Sequence, residues 1–221
     1  TTTYMIKAIL EAAGQKTGLI GTNGAVIGEN HYPTKNTTPE SYILQEYFAR
    51  MVEEGCRYVV MEVSSQSYLM HRVDGLFFDY GIFLNISNDH IGPNEHASFE
   101  EYLYYKKQLL KNCRTALVNR DDPHFDAIVE GATAKILTFS LEQAADFTAD
   151  DIRYVREHDF VGIEFQTHGR YESDLRVGIP ANLTWTMRWR QRACAASLTC
   201  RRRSLPCAGT YPGRWTDGDC I

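Results

Sequence analysis

At 221 residues, 43% apolar and 23% charged, the chain is long enough for one sizeable core and an attachment. Its longest apolar runs, YVVMEV and YGIFL, are far too short to cross a bilayer, and no basic segment leading into an apolar stretch opens the sequence, so a globular protein of the cytoplasm is expected, with no membrane partner. The formal net charge of −5 conceals a split: residues 1–180 carry 16 Lys and Arg against 26 Asp and Glu, whereas residues 181–221 carry 7 Arg against 2 Asp, with four of the six Cys and all three Trp.

In chain order, Met5, Ile6, Ile9, Leu10 and Ala13 recur at helical spacing, and Gly14 supplies a stop. TGLIGT reads as a short buried strand and AVIGENHYP as a hairpin turning at Gly28-Glu29-Asn30. After Pro39, ESYILQEYFARMVEEG is an amphipathic helix and RYVVMEV a continuous apolar strand. A short helical piece through LMHRV follows, then the strand YGIFLN, the helix SFEEYLYYKKQLLKN, the strand TALVN, the helix DPHFDAIVE and the strand AKILTF. Non-alternating strands separated by amphipathic helices predict an α/β fold with a mostly parallel sheet covered on both faces. Beyond residue 150 the strands IRYV, FVGIEFQTHG and SDLRVGIP follow one another without helices, which predicts a small antiparallel appendage. Cys56 and Cys113 stand as isolated thiols, expected to behave as small hydrophobes in a reducing compartment. Cys194, Cys200, Cys207 and Cys220 lack the C-x2-C spacing of a zinc ribbon.

In open α/β sheets the ligand crevice lies beyond the carboxyl ends of the strands. The segments at those ends are GTNG, EVSSQS, NISNDH and NRDD. GTNGAVIG lacks the Lys-Ser/Thr pair of a phosphate loop and runs into a hairpin, so it is read as a turn. The opening Thr1-Thr2-Thr3 fits the far side of such a loop, where free backbone N–H groups and the helix dipole hold phosphate; a plain Thr N-cap is the alternative. Glu62, at the end of an apolar strand, is placed to hold Mg²⁺ or to cap the next helix. His71-Arg72 offers a cation for a carboxylate or phosphate, or for a surface ion pair. Asp89, His90, Glu95 and His96 crowd before a helix carrying Lys106 and Lys107, in a spacing that matches no zinc motif.

Together, TTTYMIKAIL, KNTTPES, MEVSSQSYLMHRV, FLNISNDH, EHASFEEYLYYKKQL and LVNRDDP resemble, in family order, the central domain of the Mur ligases, the ATP-dependent enzymes that add amino acids to the peptidoglycan precursor. NTTPE with EVSS and HRV points to the E type, the tripeptide synthetases, and the resemblance runs from residue 1 to about residue 180. It implies that Asn36, Thr37, Thr38, Ser64 and Arg72 contact a UDP-muramoyl dipeptide, and that Thr1, Thr2 and Asn119 contact ATP. It further implies that Glu62 binds the Mg²⁺ of ATP, that His90 sits at a second Mg²⁺, and that Lys106, with Lys107 as the neighbouring alternative, is carbamylated to give an anionic oxygen ligand. Met70 stands where some members have Gln, which removes one polar substrate contact. The implied reaction phosphorylates the side-chain carboxylate of D-Glu, after which the amine of diaminopimelate or lysine expels phosphate.

The family loop reads GTxGKTT, and no Gly-Lys precedes Thr1, so a truncated phosphate loop is expected. Residues 181–221 are expected to be out-of-frame and disordered: a back-translation of ANLTWTMRW with one G restored in front contains the frame GKFNVDNAM, resembling the family's GKFNxxNA segment. The rival, a basic tail binding nucleic acid through RRR and alternating Trp and Arg, ranks below it, so no nucleic-acid partner is expected. Two further alternatives are a non-catalytic remnant that binds the UDP-muramoyl peptide and a ligase like the folylpolyglutamate synthetases; NTTPE and EVSS argue against the latter.

Overall fold

The computed structural model describes residues 2–158 and 160–178. The tail reading and Thr1 lie outside the described residues. The chain begins in helix α1 (Thr2–Ala12), which Gly14 ends at φ 72°, a left-handed conformation that a side chain would strain. Strands β1 (Thr17–Gly21), β2 (Gly24–Ile27) and β3 (Asn30–Tyr32) follow as two successive hairpins. Helix α2 (Ser41–Glu53) then leads to β4 (Tyr58–Met61), which pairs parallel with β1. This four-stranded sheet has the order β3-β2-β1-β4. Leu44, Tyr47 and Met51 of α2 pack on Ile20, Ala25 and Ile27, with Val73 closing the cluster.

A second sheet, in the order β10-β9-β8-β7-β6-β5, contains β5 (Phe78–Phe83), β6 (Cys113–Asn119), β7 (Lys135–Ser140), β8 (Phe147–Glu157), β9 (Phe160–Gly169) and β10 (Ser173–Gly178). Strands β5 to β8 are parallel, while β8, β9 and β10 form the antiparallel appendage expected from the sequence. Between strands lie α3 (Ser65–Leu69), α4 (Phe99–Lys106) with a 3-10 turn at Lys107–Leu110, and α5 (Phe125–Val129). Tyr102 and Leu110 pack with Phe83, Cys113, Val118 and Ile128 in the second core. The α/β class holds, but the strands are divided between two mixed sheets instead of one mostly parallel one. Helix α3 ends at Leu69, so most of LMHRV is a turn, entered through His71 at φ 56°. Cys113 is buried, and burial pushes its thiol pKa up, as its reading as a small hydrophobe requires. Among the described residues no helix is long and apolar enough to cross a membrane.

Candidate active site

Glu62 follows directly on β4, and its carboxylate is the hub of the first half of the site. Its Oε1 accepts from Thr3 Oγ1 at 3.1 Å in the first turn of α1, and its Oε2 accepts from both the backbone N and Oγ1 of Thr22 at 2.9 Å. Gly21 makes this approach possible, since a Cβ there would stand 2.8 Å from Glu62 Oε2. Thr22 Oγ1 in turn lies 3.1 Å from Thr37 Oγ1. Thr38 is fully buried; its hydroxyl donates to Glu62 O at 2.9 Å and accepts from Ser64 N at 3.0 Å. Ser64 is the N-cap of α3, its Oγ accepting from Ser67 N at 3.2 Å, so the capping role is taken by Ser64 and not by Glu62.

Arg72 leans on the same segment. Its Nε lies 2.9 Å from Glu40 Oε1, off the N–H line, so the contact is an ion pair and not an aligned hydrogen bond. Asn36 Nδ2 donates to the same Glu40 oxygen at 3.3 Å. Arg72 Nη1 also donates to Thr38 O at 3.5 Å, and through that bond, Thr22 and Glu40, the residues Asn36, Thr37, Thr38, Glu62, Ser64 and Arg72, spread over 37 positions of sequence, join into one hydrogen-bonded and ion-paired group.

The second half gathers around Tyr102. His90 holds φ 55°, an uncommon conformation for a side-chain-bearing residue; its backbone N donates to Asp89 Oδ1 at 2.9 Å and its Nδ1 lies 3.1 Å from Glu95 Oε1. The His90 ring stands 5.5 Å from the Tyr102 ring. Lys106, one helical turn after Tyr102, donates from Nζ to Tyr102 Oη at 2.8 Å and sits 5.5 Å from the centre of the Phe83 ring. Burial, with the charges of Asp89 and Glu95, pushes the Tyr102 phenol pKa up to about 12, so the hydroxyl stays neutral beside Lys106. Lys107 turns elsewhere, to Ala127 O at 3.1 Å and Glu130 Oε2 at 3.5 Å.

The two halves meet at a pair the sequence reading did not single out. Ser65 Oγ, in the first turn of α3, lies 2.8 Å from Nε2 of His96, whose side chain is fully buried and stacked on Tyr102 and Tyr105. Burial lowers the His96 pKa against the opposing pull of Glu101, leaving the ring neutral near pH 7. Its Nδ1 faces Glu101 Oε2 at 4.0 Å without a hydrogen-bond partner, so the Nε2–Ser65 Oγ bond is the one hydrogen bond of the ring among the described residues.

Asn119, by contrast, is buried at the end of β6, where its Oδ1 accepts from Asp121 N at 3.0 Å and shapes the NRDD turn. Thr2 Oγ1 is buried at the start of α1 without a hydrogen-bond partner, and the first turn of that helix carries no acidic residue. Among the described residues no three His, Cys, Asp or Glu side chains gather into a metal-holding group.

A family profile for the Mur ligase middle domain matches residues 1–182. The chain belongs to the Mur ligase family. This Mur ligase middle domain is 49% identical over 181 residues to a UDP-N-acetylmuramyl-tripeptide synthetase of Lactococcus lactis subsp. cremoris, covering 80% of the chain and 36% of the relative. It is 43% identical over 165 residues to a UDP-N-acetylmuramoyl-L-alanyl-D-glutamate–2,6-diaminopimelate ligase of Caldanaerobacter subterraneus subsp. tengcongensis, covering 74% of the chain and 33% of the relative. An L-lysine ligase of the same substrate from Streptococcus thermophilus is 36% identical over 202 residues, covering 91% and 39%. The chain thus spans little more than a third of the length of these curated relatives. A solved structure of a diaminopimelate ligase superposes with a TM-score of 0.78 at 24% identity over 90% of the chain and 40% of that structure, a likeness of fold.

Proposed function

We propose that the chain is the nucleotide- and dipeptide-binding portion of a cytoplasmic E-type Mur ligase, which extends UDP-N-acetylmuramoyl-L-alanyl-D-glutamate by one amino acid through an acyl phosphate. One observation carries the reading: the KNTTPES and EVSS residues share a bonded group, and Ser65–His96 joins that group to the His90 and Lys106 cluster. A phosphoryl acceptor bound at the first half would therefore lie beside cationic and metal-binding groups of the second. Within the first half, Asn36, Thr37 and Ser64 supply polar edges toward substrate, Arg72 supplies charge for a carboxylate or phosphate, and Thr38, its hydroxyl spent inside the fold, holds Ser64 in place.

The residues present suit ATP and Mg²⁺. The orphaned Thr2 hydroxyl and the acid-free first turn of α1 favour phosphate. Glu62, with the hydroxyls of Thr3 and Thr22 on its carboxylate, offers the hard oxygens magnesium takes. His90 would hold a second ion only with an added anionic oxygen, the role a carbamate on Lys106 would fill, with Lys107 already engaged by Glu130. When bound, the ions supply neutralisation of charge on the transferring phosphoryl group. The residues that remain orient the γ-carboxylate of D-Glu and keep Lys106 close to His90 through their shared Tyr102. The incoming amino acid is diaminopimelate or lysine; relatives named for either match this stretch, so the likeness does not choose between them.

Calorimetric titration of the purified chain with UDP-N-acetylmuramoyl-L-alanyl-D-glutamate tests the reading. Saturable binding is expected, weakened about tenfold or more by Arg72→Ala, in line with loss of one charged contact. Absence of binding would overturn it. ATP-dependent phosphate release that disappears in Lys106→Ala would mark the chain as catalytic, and binding without release would mark it as a binding remnant.

A further inference from the structure

Of the residues joining the two halves, His96 makes the most connections and has the least exposure. Its backbone closes a seven-residue loop: His96 N donates to His90 O at 3.1 Å, and Gly92 N donates to His96 O at 3.2 Å. That closure, with the Asp89 carboxylate on the His90 amide, over-determines the left-handed conformation at His90. Its ring then pins the closed loop to two helices, to α4 by stacking on Tyr102 and Tyr105, and to α3 through Ser65 Oγ at 2.8 Å. Gln66 Nε2 adds a second tie across the same seam, donating to Asn94 O at 3.3 Å. A phenylalanine would fill the same stacked slot; the imidazole adds one polar link, and burial makes that link costly to leave unmade.

We propose that His96 is a positioning residue, whose bond to Ser65 holds the first turn of α3, and with it Ser64, in fixed register with the loop presenting His90, so that dipeptide and metal binding are coupled. The proposal rests on the functional reading above. Ser64 precedes Ser65 directly and is held by Thr38, so a shift of the α3 turn moves the edge offered to the dipeptide. His90 is six residues from His96 in the closed loop, so the same shift reaches the imidazole offered to the metal.

The test measures linkage on the full chain. Mn²⁺ is the metal probe, its dissociation constant is taken with and without saturating UDP-N-acetylmuramoyl-L-alanyl-D-glutamate, and the ratio of the two is the coupling factor. In the wild type that factor is expected to be about fivefold or more, the lower range of site-to-site coupling. His96→Phe, which keeps the stacking and removes Nε2, and Ser65→Ala, which removes the partner, should each bring the factor close to one. Combined, they should lose no more than either alone. His96→Gln, whose amide reaches the Nε2 position, should restore most of it. A merely structural role would lower the melting temperature of His96→Phe and leave the factor unchanged in the folded protein, and that result overturns the proposal, as does a wild-type factor of one. Failure of the wild type to bind the dipeptide at all overturns the functional reading and this inference with it.

Discussion

Lys106 and Lys107 are adjacent in sequence and part company in space. Helix α4 ends at Lys106 and tightens into a 3-10 turn, so the two amines point to different neighbours, one to Tyr102 and Phe83, the other to Ala127 and Glu130. Carbamylation requires the free amine: Nζ adds to the carbon of CO₂ and releases one proton, leaving an anionic carbamate. Lys106 Nζ lies 5.5 Å and 5.0 Å from the centres of the Phe83 and Tyr102 rings, faces that attract the ammonium, so carbamylation competes with those contacts. Carbon-13 NMR of the chain in labelled bicarbonate should show a carbamate resonance that is lost in Lys106→Ala and kept in Lys107→Ala. The reverse pattern would move the reactive amine to Lys107. Thr38 offers a second test at this scale. Thr38→Val keeps the shape of the fully buried side chain but removes the hydroxyl that bonds both Glu62 O and Ser64 N, at a cost of about 2–3 kcal/mol. For a domain of this size that is a fall of about 4–10 °C in melting temperature by calorimetry. Dipeptide affinity should fall as well, because Ser64 loses its anchor.

Elements show which parts of the molecule were legible in the sequence. The β1–β2 turn and the β2–β3 hairpin at Gly28 stand where Gly and Asn put them, and the Ser98-x-x-Glu101 pattern marks the start of α4, where Ser98 Oγ accepts from Glu101 N at 3.2 Å. Helix α3 was harder to see, because it has only five residues, too few for a hydrophobic period. His96 stood out in sequence only as one of four crowded polar residues before α4; its link to Ser65, 31 positions earlier, and the loop that closes on itself left no local trace. The junction of the appendage was equally hidden. Asp146, at the entry to β8, accepts from Thr138 N at 2.9 Å and Thr138 Oγ1 at 3.1 Å, and pairs with Arg170 Nε at 2.8 Å, tying β7 to the end of β9. Burial raises its pKa, but the Thr138 donors and Arg170 outweigh burial and hold it below the usual carboxylate value. A depressed folded pKa means stability that is present above the unfolded value of about 3.9 and is lost as pH falls through the folded one. Asp146→Asn should therefore melt a few degrees lower at pH 7, with the gap to wild type closing as pH drops below about 4. A gap that stays constant across that range would mean the charge contributes nothing.

At the scale of the whole molecule, each sheet ends on a parallel strand that pairs on one side only among the described residues, β4 in the first and β5 in the second. RYVVMEV reads as a strand covered on both faces, and a continuous apolar run looks the same in sequence whether it has one neighbour or two. The structure leaves Tyr58 and Val59 of β4 38% and 42% exposed, and Phe77 and Tyr80 at β5 64% and 65% exposed. These positions bring unpaired backbone donors and acceptors together with large apolar side chains, the combination that templates pairing with another chain. The relatives, more than twice as long as the chain, have further polypeptide with which to cover such edges. The chain by itself should therefore associate at concentrations of about tens of micromolar, seen as mass above 25.2 kDa in sedimentation velocity. Placing lysines on the two edges, Val59→Lys with Tyr80→Lys, should shift the population toward the monomer, because two like charges at each contact would have to be buried together. Neither residue belongs to the bonded group around Glu62, so dipeptide binding per folded chain should survive the change. A wild-type chain that stays monomeric throughout that range would show that the open edges are protected by their own twist and side chains, and the lysines would then have no effect.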